Sequence, residues 1–365
     1  MKPNHRNFGR PVILQFLSTF TILVAATLLP LPLPLHAAGP AGGDSRTEAL
    51  FGLDSVCEAT SHAAYLACFN EHRDDFWIGL GICNYIGEAQ DRVDCYGENR
   101  AAFDEGVDEC AAQQDGRNEV CSMLGEVRYE PEYSPEDFVD PAAIGDTVEP
   151  NPYFPLVPGY RWVYEGNGEQ NVVEVLDETK VIDGVPCVVV HDVVSEMPSA
   201  DDGEESALQQ DEGDGDGEAA GQVTEDTLDW YAQDVYGNVW YFGEISQTFE
   251  DGELVDIEGS WKAGRDGAKA GILMPAMPVP GSVYRQEFAL GDAEDMAKVV
   301  SLEAMPELGD QNIGDCSGGC LQTEEWTPVA PDDPHEYKYY QAGVGTVQET
   351  VPDTGETVEL VEFSN

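Results

Sequence analysis

Residues 57–121 read CEATSHAAYLACFNEHRDDFWIGLGICNYIGEAQDRVDCYGENRAAFDEGVDECAAQQDGRNEVC, and the cysteine spacing in this stretch predicts its fold. The six cysteines are Cys57, Cys68, Cys83, Cys95, Cys110 and Cys121. The gaps between them are 11, 15, 12, 15 and 11 residues, so the pattern is the same in both directions. Two antiparallel helices linked by disulfides need their cysteines at equal distances in sequence on either side of the turn, which gives such a symmetric pattern. We therefore predict a helical hairpin over residues 54–124 with disulfides Cys57–Cys121, Cys68–Cys110 and Cys83–Cys95.

The helical repeat agrees with this pairing. Steps of 11 and 15 residues are about three and four helical turns, so the cysteines of one helix share a face. The centre of the mirror lies near position 89, where Gly87 can end the first helix. The same mirror places His72 opposite Gly106, a large residue against a small one. Zinc is not expected here, because zinc sites use much shorter cysteine spacings.

Three cysteines remain, so at least one lacks an intramolecular partner. Cys187 lies in a strand-like apolar run, and Cys320 begins another. We predict a cross-strand Cys187–Cys320 disulfide, with a small Cys316–Cys320 loop as the alternative. A disulfide-rich chain of this kind is typical of an oxidising compartment.

The amino-acid composition excludes several classes of function for this protein. The 365 residues include 71 acidic and 17 basic side chains, a formal net charge of −54, and 42% are hydrophobic. That apolar content supports folded domains, about two by length. The negative charge argues against binding nucleic acid or anionic membrane surfaces. The acidic surface is expected to serve solubility in a saline medium, with cation binding as the alternative.

The N-terminus indicates the compartment. Residues 1–38 combine Lys2, Arg6 and Arg10 with an apolar run over 12–29 and small residues near 36–39. We interpret this segment as a signal peptide and expect a secreted or periplasmic protein. The apolar run is long for a signal peptide, so an uncleaved anchor is the alternative. Residues 39–53 are predicted to be a linker.

The pattern changes after the hairpin. Residues 125–150 are acidic and proline-rich, and we predict an extended connector. From Asn151 onward the apolar pattern repeats every two residues with frequent turns, which predicts an antiparallel β domain over 151–365. The fold class is therefore α+β. Clear strand candidates in the C-terminal part are 253–261, 282–289, 296–303, 320–327, 335–341, 345–350 and 356–363.

Residues 197–224 interrupt the β pattern. They are acidic and glycine-rich, so we predict a disordered insertion between two strands. Asp214 to Glu225 partly matches a calcium-binding loop, but Ala219 replaces the glycine that such a loop needs at its sixth position. Weak calcium binding there is kept as a hypothesis.

Residues 151–164 read NPYFPLVPGYRWVY and resemble the start of the β domain in a family of uncharacterised secreted bacterial proteins. Further segments of the same resemblance are residues 229–234, 237–244, 258–261, 271–276, 284–287, 325–328 and 343–345. The resemblance implies a curved antiparallel sheet, a half-barrel similar to periplasmic lipoprotein carriers. It implies no activity and transfers no catalytic residue.

Catalytic signatures are missing from the sequence. It contains neither G-x-S-x-G nor C-x-x-C, and no histidine has an evident nucleophile beside it. We therefore expect no enzyme activity, no catalytic residues, no metal and no cofactor. Carboxylates are so abundant that a glycan hydrolase with two facing carboxylates remains open.

The aromatic side chains of the β domain are the best sequence evidence for binding. We predict that they line a groove on the curved sheet, with Arg285 as a candidate contact for an anionic head. The ring candidates are Trp162, Tyr164, Trp230, Trp240, Trp261 and Trp326. The same rings also suit an ordinary aromatic core, which their number in a β domain favours over a groove.

The predicted function is a secreted, non-catalytic binding protein. Its ligand would be a small apolar or envelope-derived molecule held on the curved sheet. The alternative is a structural or interaction module that uses the rigid hairpin to contact an envelope partner. The sequence does not predict the oligomeric state.

Overall fold

The computed structural model describes residues 55–197 and 221–365. The predicted signal peptide, the linker and residues 198–220 of the acidic insertion lie outside the described residues. Two helices come first and a nearly closed, barrel-like antiparallel sheet follows, so the predicted α+β class is confirmed.

The two helices form the predicted hairpin. Helix α1 covers Val56–Asn84 and helix α2 covers Ala89–Leu124, so the turn lies close to the predicted centre. All three predicted disulfides connect them, with Cα–Cα distances of 5.6, 5.8 and 5.6 Å. A methyl group at Gly106 would overlap the ring of His72, which shows how tightly the helices pack at this predicted pair. Neither helix is both long enough and apolar enough to span a membrane.

The connector runs from the hairpin along the sheet. It contains two short 3₁₀ turns, Pro135–Asp137 and Pro141–Ala143. The hydroxyl of Tyr129 donates to the carbonyl of Ala270 at 2.8 Å, so the connector is held against the sheet from its beginning.

Alternating apolar residues produce strands almost everywhere that they were expected. Within the described residues the strands are β1 Arg161–Gly166, β2 Glu169–Ile182, β3 Val185–Glu196, β4 Val223–Gln233, β5 Val239–Glu250, β6 Glu253–Asp256, β7 Trp261–Lys262, β8 Lys269–Met274, β9 Val283–Arg285, β10 Glu287–Phe288, β11 Met296–Ala304, β12 Cys320–Trp326, β13 Glu336–Gln341, β14 Gly345–Val351 and β15 Glu356–Ser364. The acidic insertion follows β3 and precedes β4, and these two strands pair with each other, as predicted for an insertion between strands.

The strands form one sheet in the order β10-β8-β5-β4-β3-β2-β1-β15-β14-β13-β12-β11-β9, with β6 and β7 beside β5. Its two ends are consecutive in the chain, because only Gln286 separates β9 from β10. Strand β9 pairs with β11, and β10 pairs with β8. One kinked segment therefore joins both ends of the sheet, and we call it the seam (residues 283–288). Gly271 is required beside it, because a Cβ there would overlap the backbone of Gln286.

The remaining cysteines correct one prediction. Cys316 pairs with Cys320 across a short turn, with Cα atoms 5.1 Å apart, and Cys187 is a buried free thiol. The predicted Cys187–Cys320 bridge is wrong, because five strands separate β3 from β12 in the sheet order. Disulfide geometry needs Cα atoms within about 7 Å, which such distant strands do not provide.

Candidate functional site

A cavity of about 330 Å³ lies where the base of the hairpin meets the seam of the sheet. Both helices contribute to it, through Thr60 near the start of α1 and Val120 near the end of α2. Tyr129 of the connector covers one side, and Tyr284 and Arg285 of the seam form another. Its volume falls at the small end of the usual range for ligand pockets.

Arg117 and Glu294 form a buried ion pair in this cavity. Arg117 donates from Nε and Nη2 to the same Glu294 oxygen, Oε1, at 2.9 and 2.8 Å. The two side chains are only 5% and 2% exposed, so water screens the pair very little. Nη1 of Arg117 is buried as well and has no hydrogen-bond partner in the described protein. A buried donor without an acceptor is rare in folded proteins.

Arg285 supplies a second positive charge on the cavity wall. Its guanidinium carbon lies 4.9 Å from the ring centre of Phe288 and 5.7 Å from that of Tyr129, so two rings support the cation. Among the described residues no carboxylate lies within ion-pair distance of it. Burial lowers the pKa of Arg285, and the nearby charge of Arg117 lowers it further, while Glu294 opposes both.

Tyr284 also lines the cavity. Its hydroxyl is buried and has no hydrogen-bond partner in the described part of the chain. Burial raises the pKa of Tyr284, so the hydroxyl keeps its proton at neutral pH. The lining side chains therefore include two buried donors without a partner among the described residues, Arg117 Nη1 and the Tyr284 hydroxyl. Nη1 of Arg285 donates to Sδ of Met296 at 3.8 Å. Glu294 is its one acidic lining residue among those described, and that residue already binds Arg117.

The rest of the wall is mainly apolar. Val120 and Leu124 face it from α2, Ile272 from β8 and Val283 from β9. Val127 of the connector stands at the edge and is 75% exposed. A ligand that fits would have an apolar body and an anionic end, because burying an unpaired donor or charge is costly.

The six predicted rings lie elsewhere, and of the seven candidate residues only Arg285 lines the cavity. Trp162 stacks on Phe363 at 5.5 Å, and its Nε1 donates to the carbonyl of Val344. Tyr164 donates to the carbonyl of Thr346 at 3.3 Å. Both rings pack within the sheet rather than around a shared opening.

The other four rings are also engaged in separate contacts. Trp230 lies under the Lys180 ammonium, 3.5 Å from Nζ to the ring centre. Trp240 donates to Asp234 at 3.0 Å. Trp261 packs edge-on against Tyr241, and Trp326 stacks on His335 at 5.2 Å. Three of the six rings, Trp162, Trp230 and Trp261, belong to the buried apolar cluster, as an aromatic core requires.

Arg117 and Glu294 were not among the residues predicted from the sequence. They are 177 residues apart in the chain, so no local motif connects them. One signal was present: Arg117 follows Cys110 by seven residues and precedes Cys121 by four, which places a basic residue on the cysteine-bearing face of α2. A charged residue on a packed helix face needs an oppositely charged partner, so the position of Arg117 alone could have predicted a buried ion pair.

One cluster of metal-ligand residues occurs in the described part of the chain, formed by Cys68, His72 and Cys110. Both sulfurs belong to the Cys68–Cys110 disulfide, so neither is a thiolate that can bind a metal. The cluster therefore belongs to the hairpin's structure.

No protein-family model and no curated protein matches the sequence. Two solved structures are similar to part of it. One, from Bacteroides fragilis, is described as a candidate exported protein with a YmcC-like fold; it is 12% identical, and the match covers 58% of this chain and 99% of that one, with a TM-score of 0.29. The other is a hypothetical protein of Chlamydia trachomatis, 6% identical, with 57% and 87% covered and a TM-score of 0.21. At such scores neither likeness supports a statement about function.

Proposed function

We propose that this is a secreted or periplasmic, non-catalytic binding protein, and that its ligand is a small amphipathic anion held in the cavity between the hairpin and the seam. The observation that carries the proposal is the excess of unused buried donors on an otherwise apolar wall. In a chain with 71 acidic and 17 basic residues, three arginines (Arg117, Arg128 and Arg285) line one cavity against a single lining carboxylate, which runs against the composition.

Three further features belong to the same proposal. The four disulfides are those of a protein from an oxidising compartment, and cleavage of the N-terminal segment would deliver it there. Membership in the secreted family that residues 151–164 resemble is also proposed. A cavity with one carboxylate lacks the two facing acids of a glycan hydrolase, which favours binding over catalysis.

Native mass spectrometry of the oxidised, processed protein, purified from its own envelope or medium, tests the proposal first. We expect an added mass that leaves on denaturation and whose fragment carries a negative charge. The second arm adds decanoate, or decyltrimethylammonium as a cation of similar chain length. We expect decanoate to bind and the cation not to bind.

Arg285→Met should weaken decanoate binding by ~10-fold or more, since it removes the cation that would pair with the ligand's carboxylate in a site partly shielded from water. Arg161→Met is the matched control, because Arg161 pairs with Glu362 on the exposed outer surface. A bare monomer mass together with no binding of decanoate would overturn the proposal.

A second candidate function is an interaction module that uses the distal end of the hairpin. Large apolar side chains are exposed there beside the turn: Trp77 at 63%, Ile78 at 56%, Ile82 at 52% and Tyr85 at 95%. Photocrosslinking from position 77 in the native envelope, with exposed Asp115 as the control position, tests it. An adduct from position 77 alone is expected if the turn contacts a partner, and equal labelling at both positions would contradict it.

A further inference from the structure

A second, smaller cavity of about 20 Å³ lies among the strands β13, β14 and β15 and the β1–β2 turn. It shares no lining residue with the cavity at the seam, so this inference does not depend on the proposed function. The volume is enough for one water-sized particle or one ion. Glu336 of β13, Glu349 of β14 and Glu356 of β15 line it, together with Asn167 of the turn. All three of its charged lining residues are therefore acidic.

The pairing of the strands places these acids on one face of the sheet. Lys338 and Glu349 are opposite each other on β13 and β14, and Glu336 is two residues from Lys338, so it belongs to the same face. Val351 and Glu356 are opposite each other on β14 and β15, and Val351 is two residues from Glu349. Alternation along three neighbouring strands thus brings the acids together at one cavity.

Glu336 is the buried acid without a hydrogen-bond partner. Its side chain is 1% exposed, and neither carboxylate oxygen accepts a hydrogen bond from a described residue. The ammonium of Lys338 lies 3.3 Å from Glu325 and 3.4 Å from Oε2 of Glu349, so one cation already serves two other carboxylates. A buried carboxylate with no donor is costly.

Glu349 makes the need for a positive charge greater. Burial raises the pKa of Glu336, and Glu349 adds to the rise as a second carboxylate beside it. Two neighbouring carboxylates repel each other unless a proton or a cation lies between them. A proton needs no extra space, whereas a cation needs the volume that the cavity provides.

The donor atoms favour one cation over others. Carboxylate, amide and backbone carbonyl oxygens are the ligands that Ca²⁺ prefers. Mg²⁺ usually keeps several waters, for which a cavity of this size has no room. The ligand atoms of the three acids are not all within 4.8 Å of one another, so we take the adjacent pair, Glu336 and Glu349, as the ligands and Glu356 as additional negative charge.

We propose that this cavity is a calcium site in which Glu336 and Glu349 bind one ion between β13 and β14. The ion joins these strands to β15 and the β1–β2 turn, so it stabilises this part of the sheet. In calcium-free buffer a proton on Glu336 takes its place. The sequence alone does not reveal such a site, because its residues form no local motif, unlike the partial calcium loop at Asp214 to Glu225.

Thermal unfolding of the full, oxidised protein, first stripped with a chelator, tests the site. The buffer contains about 0.5 M potassium chloride, which screens the exposed acids. We expect about 5 mM calcium chloride to raise the melting temperature by ~3 °C or more, because a ligand of the folded state stabilises it by mass action. Magnesium at the same concentration should give less than half of that shift. Calorimetric titration should find one calcium bound per chain in this buffer.

Glu336→Gln removes a ligand charge and keeps the size of the side chain, so it should fold and lose the calcium-dependent shift. Glu362→Gln, at the exposed Arg161–Glu362 pair, is the matched control and should keep the shift. An equal shift in Glu336→Gln would overturn the inference, since calcium would then bind elsewhere. The absence of any shift in the unmodified protein would also overturn it and would mean that a proton alone separates the two carboxylates.

Discussion

The hairpin and the sheet are stabilised in different ways. Few large apolar residues of the hairpin are fully buried: Ala64, Cys68 and Cys83 in α1 and Cys110, Val120 and Cys121 in α2. The main apolar contact between the helices is the partly exposed group Phe69, Phe76 and Phe103. The sheet instead encloses a continuous apolar cluster that includes Phe242, Leu156, Ile182 and Leu360. One region depends on covalent bonds and the other on burial, so the two should respond differently to the same treatment.

Reduction should produce the largest difference between the regions. In the chain-entropy account, bridges with separations of 64, 42 and 12 residues contribute roughly 3–4 kcal/mol each. Without them the hairpin has little burial to offset its conformational entropy. We expect dithiothreitol to abolish the helical circular dichroism near 222 nm while the near-ultraviolet signal of the sheet's aromatic residues persists.

The matched control for reduction is Cys316→Ala with Cys320→Ala. That bridge spans four residues, so the same account gives it only about 2 kcal/mol. The double variant should keep its helical signal and melt a few degrees lower. Simultaneous loss of both signals on reduction of the unmodified protein would show that the two regions do not unfold separately.

Arg117→Met should have the next largest effect, because it cuts the ion pair that joins the hairpin to the sheet. The substitution leaves Glu294 buried without its partner, which costs about 3–5 kcal/mol. We expect a clear drop in the melting temperature, measured by calorimetry, and faster hydrogen exchange at the base of α2. Arg161→Met breaks an exposed pair and should cost about 1 kcal/mol or less. Equal losses of stability in the two variants would show that the buried ion pair contributes no more than the exposed one.

A change of pH should act on the stability of the sheet. Burial raises the pKa of Glu336 to about 10, with Glu349 adding to the shift and Lys338 opposing it. Burial also raises the pKa of Asp229 to about 7 and that of Asp295 to about 6. The folded state therefore binds protons that the unfolded state has released, so stability falls as pH rises from about 4.5 toward 10.

Glu336→Gln tests the contribution of one of these groups, because glutamine cannot release the proton that Glu336 holds in the folded state. The variant should lose stability less steeply between pH 6 and 9, by up to about 1.4 kcal/mol per pH unit. Urea unfolding monitored by tryptophan fluorescence at several pH values measures the slope. Glu362→Gln, on the exposed surface, should reproduce the slope of the unmodified protein. Parallel slopes for all three proteins would show that Glu336 does not retain a proton in the fold.

The two regions also differ in how far the sequence predicts them. The hairpin can be predicted from the spacing of its cysteines. Residues that face each other across it, such as His72 and Gly106, lie at equal distances in sequence from its turn. Strand positions follow from alternation, but pairing partners do not. The kink at Gln286 that joins the ends of the sheet depends on β8 and β11 together, and alternation along one strand does not specify either.

The candidate site was predictable only in part for the same reason. Arg285 could be singled out because cations are scarce in this chain. Glu294 is one of 71 acidic residues, and only its ion pair with Arg117 in the folded protein distinguishes it. The error at Cys187 has the same origin, since two strand-like runs do not reveal how many strands lie between them. Contacts between distant segments need the assembled fold.

The smallest expected effect tests whether the sheet's stability is spread over many contacts. Lys180→Met removes the ammonium that lies 3.5 Å from the centre of the Trp230 ring and should cost about 1 kcal/mol, the usual size of such a contact. Lys180→Arg keeps a cation over the ring and should restore most of the loss in chemical denaturation. Trp230 remains buried in either variant among apolar neighbours that the substitution does not touch. A loss as large as that of a hairpin disulfide would mean that the sheet, like the hairpin, depends on a few individual bonds.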